Sequence, residues 1–277
     1  MTPKLAIAVV SQAPAQFAEA RLRGIDPEVT NSSLTTRDVE SPLDDGRATM
    51  RQRSLAQRCQ GWKRGILPAL YLIVWAVVLF AVFAGIGFLV TKVGRHDVVG
   101  RTDHSVERTF ARDRTSELNT ATHYLTDLGE TITVIAIGIL LAVAARLLWA
   151  RWREAVLVVV ALAGEVSIFI FTTLLIHRHR PRVPHLDAAP PTSSFPSGHT
   201  AASVVLYLLI ALLLSYRLRS GVARMVLWTV AVLIPILVGL SRLYRGMHYP
   251  TDVLSGALLG GVWLFIAVKG VRLGALQ

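Results

Sequence analysis

The chain has 277 residues, 53% of them hydrophobic, and a mean hydropathy of +0.50. This composition is too apolar for an ordinary soluble domain. The formal net charge is +11, but the basic residues flank apolar runs instead of forming one face. That pattern favours a membrane protein over a nucleic-acid-binding protein. The single cysteine, Cys59, excludes an intrachain disulfide framework and a cysteine-based metal site.

Residues 1–64 are polar and lack helical periodicity, and all the charged residues after Asp45 in this stretch are basic. We expect a disordered cytoplasmic tail with a basic end next to the membrane, followed by a membrane domain over residues 65–277. The apolar run from Leu5 to Val10 is shorter than the roughly 7–15 residues of a signal-peptide core, so a signal peptide is not expected.

Six apolar runs follow the tail, each approaching the roughly 20 residues that cross a bilayer as a helix. They are approximately Ile66–Val90, Leu128–Trp149, Ala155–Ile176, Thr200–Tyr216, Val222–Leu240 and Val253–Val268. The predicted fold is an all-α bundle of six transmembrane helices. Within it, Gly256 and Gly260 are spaced for close helix packing, inside the monomer or, as the alternative, in a dimer. Glu165 is expected to face the bundle as a protonated or hydrogen-bonded acid.

The connections predict the orientation of the bundle. The short loops after the second and fourth runs are rich in arginine, with Glu154 the only acid near either, whereas the connection from Gly94 to His123 balances five arginines against five acids. Positive-inside counting therefore places both termini in the cytoplasm.

Three polar clusters then fall together on the outer face. The first cluster is His177–Arg182, the second is Phe195–Thr200 and the third is Ser241–Asp252. Their arginines oppose the positive-inside pattern, which indicates a chemical role. A group of arginines, histidines and a carboxylate is typical of a site that binds phosphate.

The third cluster carries a candidate nucleophile. His248 and Asp252 are four residues apart at the start of a helix and share one face. The carboxylate can accept a hydrogen bond from one imidazole nitrogen and leave the other as a nucleophile or base. Arg242 can reach the same place from the end of the fifth run. The alternative is a His–Asp pair that only caps a helix.

The other two clusters supply anion-binding groups. Ser197 and Gly198 stand at the start of a helix, where exposed amides favour an anion, and His199 can give a proton to a leaving oxygen. The alternative for this stretch is an ordinary turn. The guanidinium of Arg180 is planar, and its paired N–H donors suit phosphate. The alternative is that Arg180 anchors lipid head groups.

Together, Arg180-Pro181, then Pro196-Ser197-Gly198-His199, then Ser241-Arg242, five residues, His248, three residues and Asp252 resemble the type-2 phosphatidic acid phosphatase superfamily. These are integral-membrane lipid phosphatases related to vanadium haloperoxidases. The resemblance covers about residues 66–268. The family's first motif also has a lysine seven residues before the arginine, where this chain has Thr173, and Arg178, His177 and Arg182 are candidate replacements.

The resemblance implies a two-step hydrolysis without metal or cofactor. His248 would attack phosphorus and form a phosphohistidine while Asp252 orients it. His199 would protonate the leaving group and then activate water. The groups expected to hold the phosphoryl oxygens are Arg180, Arg242, Ser197 and Gly198, with Arg178 or another cation near Thr173.

The predicted function is hydrolysis of a lipid phosphomonoester or diphosphate at the outer face of a bacterial plasma membrane. Polyprenyl diphosphate, phosphatidylglycerol phosphate and phosphatidic acid all fit, with recycling of the polyprenyl carrier preferred. The alternative is a lipid-phosphate-binding or transport-related protein that lost turnover with the lysine. A six-helix transporter would need broken helices and an internal repeat, which the sequence lacks.

Overall fold

A computed structural model describes residues 66–93, 97–149 and 152–276 of the chain. Eight helices lie in these ranges: α1 (Ile66–Lys92, with a π-helical end at Leu89–Val93), α2 (Val98–Arg112), α3 (Ser116–Asp127), α4 (Thr131–Leu147), α5 (Trp152–Leu175), α6 (Gly198–Ser215), α7 (Gly221–Tyr244) and α8 (Pro250–Leu276). The described residues contain no strands. The predicted tail, residues 1–64, lies outside the described ranges.

The apolar helices confirm an all-α integral membrane protein, with five to six candidate spans among the described residues. In the described residues, α1, α5, α6, α7 and α8 are each long and apolar enough to cross a bilayer. The candidate for a sixth span is a pair of helices, α3 and α4, bent by 43° at a short break. Gly129 lies in that break, and a Cβ there would come within 2.9 Å of the carbonyl oxygen of His199. The bend therefore seats the start of α4 against the start of α6.

The connection before the second span differs from expectation, because it contains a complete helix. α2 is strongly amphipathic, but its buried residues are Gly100, Asp103 and Glu107 instead of large apolar side chains. It packs against α7 and α8. α2 is polar on average and its buried face carries carboxylates, so a search for long apolar runs does not find it.

Two glycines of α8 bring the backbones of α6 and α8 together. A Cβ on Gly256 would overlap the carbonyl oxygen of Ser197, and one on Gly260 would lie 2.5 Å from that of Ala201. The expected close packing within the monomer is confirmed. This contact places the start of α6 beside the start of α8, where the second and third clusters lie.

Glu165 is 1% exposed in the middle of α5, so the expectation that it faces the bundle is confirmed. Its Oε2 has no hydrogen-bond partner among the described residues.

Candidate active site

The three polar clusters meet at one end of the bundle. The first follows α5, the second begins α6, and the third runs from the last turn of α7 into the first turn of α8. Direct hydrogen bonds tie them together: Ser197 N–H to the Asp252 carbonyl (3.0 Å), His248 Nδ1 to the Ser194 carbonyl (2.7 Å), and Arg180 Nη1 to the Met247 carbonyl (2.9 Å). The helix ends therefore assemble one site from three distant parts of the chain.

His248 is held in a defined tautomer by the backbone. A carbonyl oxygen can only accept a hydrogen bond, so the Ser194 carbonyl requires the proton of a neutral imidazole to sit on Nδ1. The lone pair is then on Nε2, which has no hydrogen-bond partner among the described residues. Burial lowers the pKa of His248, with Asp252 opposing and Arg242 adding to the shift. At neutral pH the imidazole is therefore uncharged and its Nε2 can act as a nucleophile.

Asp252 does not make the expected hydrogen bond to His248. Its Oδ2 is 3.8 Å from Nδ1 and accepts the Tyr249 N–H at 2.9 Å, while its Oδ1 is bound by Arg178. The position next to Nδ1 is taken by the closer carbonyl of Ser194. Asp252 is thus placed to stabilise positive charge on the imidazole, and the carbonyl sets the tautomer.

Arg178, an expected replacement for the family lysine, is bonded to several protein groups. Nη1 contacts Asp252 and donates to Thr251 Oγ1 at 2.7 Å, and Nη2 pairs with Asp103 at 2.7 Å. The guanidinium also lies 4.4 Å from the ring centroid of Tyr249. Arg178 thus holds Asp252 in place through these pairs.

Thr173, at the position of the family lysine, is half-buried near the end of α5. Its hydroxyl donates to the Ile170 carbonyl of its own helix at 2.9 Å. Thr173 therefore carries no charge at the position where the family's first motif has a cation.

Arg180 and Arg242 retain unused donors at the site. The Nε of each is buried and has no hydrogen-bond partner in the described part of the chain. Burial lowers the pKa of Arg180, while Asp252 opposes the shift. Two guanidinium groups with unsatisfied N–H donors favour binding of an anion such as phosphate.

Asp187 neutralises part of this positive charge. Its carboxylate accepts Nη1 of Arg242 at 2.8 Å and Nη2 of Arg245 at 2.5 Å. Burial opposes ionisation of Asp187, but these two arginines outweigh it and lower its pKa. The carboxylate therefore stays charged and fixes the direction of Arg242.

The start of α6 carries the second cluster. Ser197 is fully buried. Its N–H donates to the Asp252 carbonyl and its hydroxyl lies 3.0 Å from Thr200 Oγ1. The expected contact of Ser197 with phosphate is therefore not available in this arrangement. Gly198 and His199 occupy the first helical positions, whose amides lack intrahelical acceptors. His199 is half-buried and lies in the field of Arg242, His248, Asp187 and Arg180.

A cavity of about 290 Å³ reaches the site between the end of α1, the start of α2 and the first cluster. Its basic lining includes Arg178, Arg180 and Arg182, and Tyr249 closes one side. It gives the polar part of a ligand space beside Arg180.

Three contributors were missed by the sequence analysis: Asp103, Asp187 and Ser194. Ser194 acts through its carbonyl, for which no residue type is diagnostic. Asp187 stands in the loop between the first two clusters, and an acid so close to the arginines of the first cluster was an available signal. Asp103 and Glu107 are four residues apart on α2, a spacing that also marks one helix face.

The sequence of this region has relatives among known proteins. The PAP2 superfamily model matches residues 154–273, which include all three clusters. The resemblance to this superfamily is confirmed. Phosphatidylglycerophosphatase B of Bacillus subtilis is 46% identical over 79 residues, 28% of this chain and 38% of that protein. An undecaprenyl-diphosphatase of Sulfolobus acidocaldarius is 30% identical over 120 residues, 43% of this chain and 54% of that protein.

These PAP2 matches span 38% and 54% of the lengths of the two relatives. The fold is shared more widely. The crystal structure of a transmembrane PAP2-type phosphatidylglycerolphosphate phosphatase from Bacillus subtilis aligns with a TM-score of 0.61 at 24% identity, covering 72% of this chain and 95% of that one.

Proposed function

We propose that this protein is a lipid phosphate phosphatase that hydrolyses a phosphomonoester or diphosphate through a phosphohistidine on His248. The observation that carries the proposal is the Nδ1–H tautomer of His248, which leaves Nε2 unprotonated in a site with two arginines whose Nε donors are free. The relatives named above, a phosphatidylglycerophosphatase and an undecaprenyl-diphosphatase, support the same class of reaction.

In the first step, Nε2 of His248 bonds to phosphorus as the bond from phosphorus to the leaving oxygen breaks. His199 donates a proton to that oxygen. Arg180, Arg242 and the first amides of α6 stabilise the charge on the transferring phosphoryl oxygens. The imidazole becomes cationic, and Asp252, 3.8 Å from Nδ1, stabilises that charge.

In the second step, His199 removes a proton from water as the water oxygen bonds to phosphorus. The bond between phosphorus and Nε2 breaks and its electron pair returns to the imidazole. Inorganic phosphate leaves, and the enzyme regains its starting protonation. Because arginines and amides supply the positive charge, we expect this chemistry to proceed without a divalent ion.

The proposed orientation places the site on the extracytoplasmic side of the plasma membrane, with both termini in the cytoplasm. It rests on the arginine-rich loops after α4 and α6. An outward site suits a polyprenyl diphosphate released on that side, and phosphatidylglycerol phosphate and phosphatidic acid fit the same chemistry.

One observation favours a second candidate, a lipid-phosphate-binding protein without turnover. Thr173 stands where the family has lysine, and Arg178, the expected replacement, is paired with Asp103 and Asp252. Retention of His199, His248 and Asp252 in one site argues for the enzyme.

The test is phosphate release by protein purified in detergent with a chelator present. Undecaprenyl diphosphate, phosphatidylglycerol phosphate and phosphatidic acid are offered in parallel, with His248→Ala as the control. We expect release that the variant abolishes, and the fastest substrate identifies the lipid. Absence of release from all three lipids would favour the binding protein, and loss of release on chelation would contradict a metal-independent reaction.

A further inference from the structure

The cavity beside Arg180 is a polar compartment that shares a residue with the catalytic groups. It has a volume of about 290 Å³ and lies between the end of α1, the start of α2 and the first cluster. Arg180 lines it directly and donates from Nη1 to the Met247 carbonyl at 2.9 Å. The charge of Arg180 also acts on both His199 and His248. Arg180 therefore belongs both to the cavity and to the site of the proposed reaction.

The cavity carries more positive charge than its own carboxylate balances. Its lining contains three arginines and one acid, Asp103. Asp103 is paired with Arg178 at 2.7 Å and accepts the Thr251 hydroxyl at 2.6 Å. Arg182, in contrast, is exposed and makes no hydrogen bond or ion pair within the described part of the chain. Arg182 thus presents to the cavity a guanidinium that none of these protein groups uses.

Thr91 adds a buried hydroxyl to the same cavity. Other helical threonines of this chain bond back to their own helix, as Thr109 and Thr172 do to the carbonyls four residues earlier. Thr91 lies in the π-helical end of α1 and lines the cavity, and its hydroxyl has no partner among the described residues. Buried polar groups are nearly always bonded, and π-helical turns are frequent at functional sites. The Thr91 hydroxyl is therefore available to a ligand.

A ligand with a single phosphate does not use all of these donors. In the proposed reaction its phosphate is held by Arg180 and Arg242, which leaves Arg182 and the Thr91 hydroxyl unbonded. A neutral group in the cavity can bond the hydroxyl but does not balance the charge of Arg182. A second phosphate, attached to the first, supplies both the charge and the acceptor oxygens on the cavity side of Arg180.

We propose that this cavity binds a second phosphate group of the substrate, so that the protein prefers lipids with two phosphates to lipid monophosphates. The inference rests on the proposed function and narrows its substrate class. Two kinds of lipid have this chemistry: a polyprenyl diphosphate, and phosphatidylglycerol phosphate, whose second phosphate is a phosphodiester. In both, the terminal phosphate is transferred and the second stays with the leaving lipid. Arg182 and Thr91 therefore determine specificity and take no part in the bond that breaks.

The experiment compares Arg182→Gln with Arg112→Gln. Both are exposed arginines without an ion pair in the described ranges, but only Arg182 lines the cavity, whereas Arg112 ends α2. The ratio kcat/KM is measured in mixed micelles for two matched pairs of lipids. One pair is farnesyl diphosphate and farnesyl phosphate, and the other is phosphatidylglycerol phosphate and phosphatidic acid with the same acyl chains.

We expect Arg182→Gln to lower kcat/KM about tenfold for the lipid with two phosphates, the effect of one lost charge-assisted hydrogen bond. The lipid monophosphate of the same pair is expected to stay within about twofold, which also reports that the variant is folded. Arg112→Gln is expected to leave all four rates near those of the unchanged protein.

Thr91→Val provides a second variant, because it removes the hydroxyl and keeps the shape of the side chain. We expect a loss of about threefold to tenfold on the lipids with two phosphates only. Thermal stability in detergent should be unchanged or raised, since the hydroxyl has no protein partner to lose. Thr109→Val, on α2 and outside the cavity, is its control.

The two pairs distinguish the sources of the second phosphate. A selective loss within the farnesyl pair alone supports a diphosphate, and a selective loss within the phosphatidyl pair alone supports a phosphodiester. Equal losses on both members of each pair would assign Arg182 to the transferred phosphate and overturn the inference. Equal effects of Arg182→Gln and Arg112→Gln, or no loss, would also overturn it. Failure of the unchanged protein to release phosphate from any of the four lipids would instead overturn the proposed function, and this inference with it.

Discussion

At the scale of single residues, His248 receives its tautomer from the backbone of Ser194, 2.7 Å away, and not from a carboxylate. In serine proteases, where an aspartate sets the tautomer, its change to asparagine costs about 10⁴-fold in kcat. We expect Asp252→Asn to cost only about 10–100-fold in kcat, because Nδ1 keeps its acceptor and only charge stabilisation is lost. Phosphate release measures the effect, with His248→Ala as the inactive reference. A loss as large as that of His248→Ala would show that Asp252 takes over the tautomer during the reaction.

Burial lowers the pKa of His248 below its ordinary value of 6.5, which predicts the acid limb of the pH profile. The nucleophile must be neutral, so the activity that depends on His248 falls as pH drops through its lowered pKa. We therefore expect the acid limb of kcat/KM to lie below pH 6.5. Profiles recorded with a lipid monophosphate and a lipid diphosphate separate the enzyme's limb from ionisation of the substrate. A midpoint above 6.5 common to both substrates would contradict the buried, uncharged imidazole.

Thr173 is the one departure from the family's first motif, and its hydroxyl is satisfied by its own helix. Thr173→Lys adds a cation near the end of α5, where Arg178 is already neutralised by two carboxylates. We expect a rise of about tenfold in kcat/KM, the worth of one added charge-assisted hydrogen bond. Thr173→Gln, of similar length without charge, is the control. An unchanged or lower rate for the lysine variant would show that the site is organised around other cations.

At the scale of elements, whether a helix could be predicted from the sequence depended on which residues it buries. α5 to α8 were predicted because they are continuous apolar runs, and their polar clusters were expected at one end because successive spans alternate in direction. α2 was missed because it is polar on average and buries Asp103 and Glu107, whereas the spans were predicted from long apolar runs. The bend at Gly129 was not predicted; a Cβ there would meet Val238 of α7 and the His199 carbonyl of α6, contacts that the sequence alone does not reveal.

α2 is linked to the site through one buried ion pair, which gives that helix a testable role. Asp103 pairs with Arg178 at 2.7 Å and accepts the Thr251 hydroxyl at 2.6 Å. Removing one partner of a buried pair costs roughly 3–5 kcal/mol, and here Asp252 still compensates Arg178. We expect Asp103→Ala to lower the free energy of unfolding by about 3 kcal/mol and kcat by about tenfold.

Thermal unfolding in detergent and phosphate release measure these two effects of Asp103→Ala. The exposed Asp113, just after α2, gives the matched control Asp113→Ala, which is expected to change neither. If Asp103→Ala behaves like the control, α2 does not support the site.

At the scale of the whole molecule, the order of the clusters predicted that they converge, but not the bonds that join them. The Ser197 N–H donates to the Asp252 carbonyl, and the carbonyl of Ser194 reaches His248. Backbone groups are the same in every residue, so such bonds are set by how closely two helices pack and cannot be identified from residue types. The Asp187 bridge between Arg242 and Arg245 depends in the same way on the path of the loop before α6.

That packing can be tested with two glycines of α8. A Cβ on Gly256 would overlap the Ser197 carbonyl, whereas one on Gly261 meets no atom within 4 Å. Alanine is favoured over glycine in a helix by about 1 kcal/mol, so Gly261→Ala should be neutral or stabilising. Gly256→Ala must instead push α6 from α8, at a cost of about 1–3 kcal/mol for overpacking.

The same displacement lengthens the 3.0 Å bond between Ser197 and Asp252, which joins the second and third clusters. We therefore expect Gly256→Ala to lower kcat at least about tenfold, since misplacement of catalytic groups by about 1 Å can cost about 10²-fold. Thermal unfolding and phosphate release of the two variants are compared side by side. Equal activity of Gly256→Ala and Gly261→Ala would show that α6 and α8 tolerate separation, and that the close helix contact does not position His199 against His248.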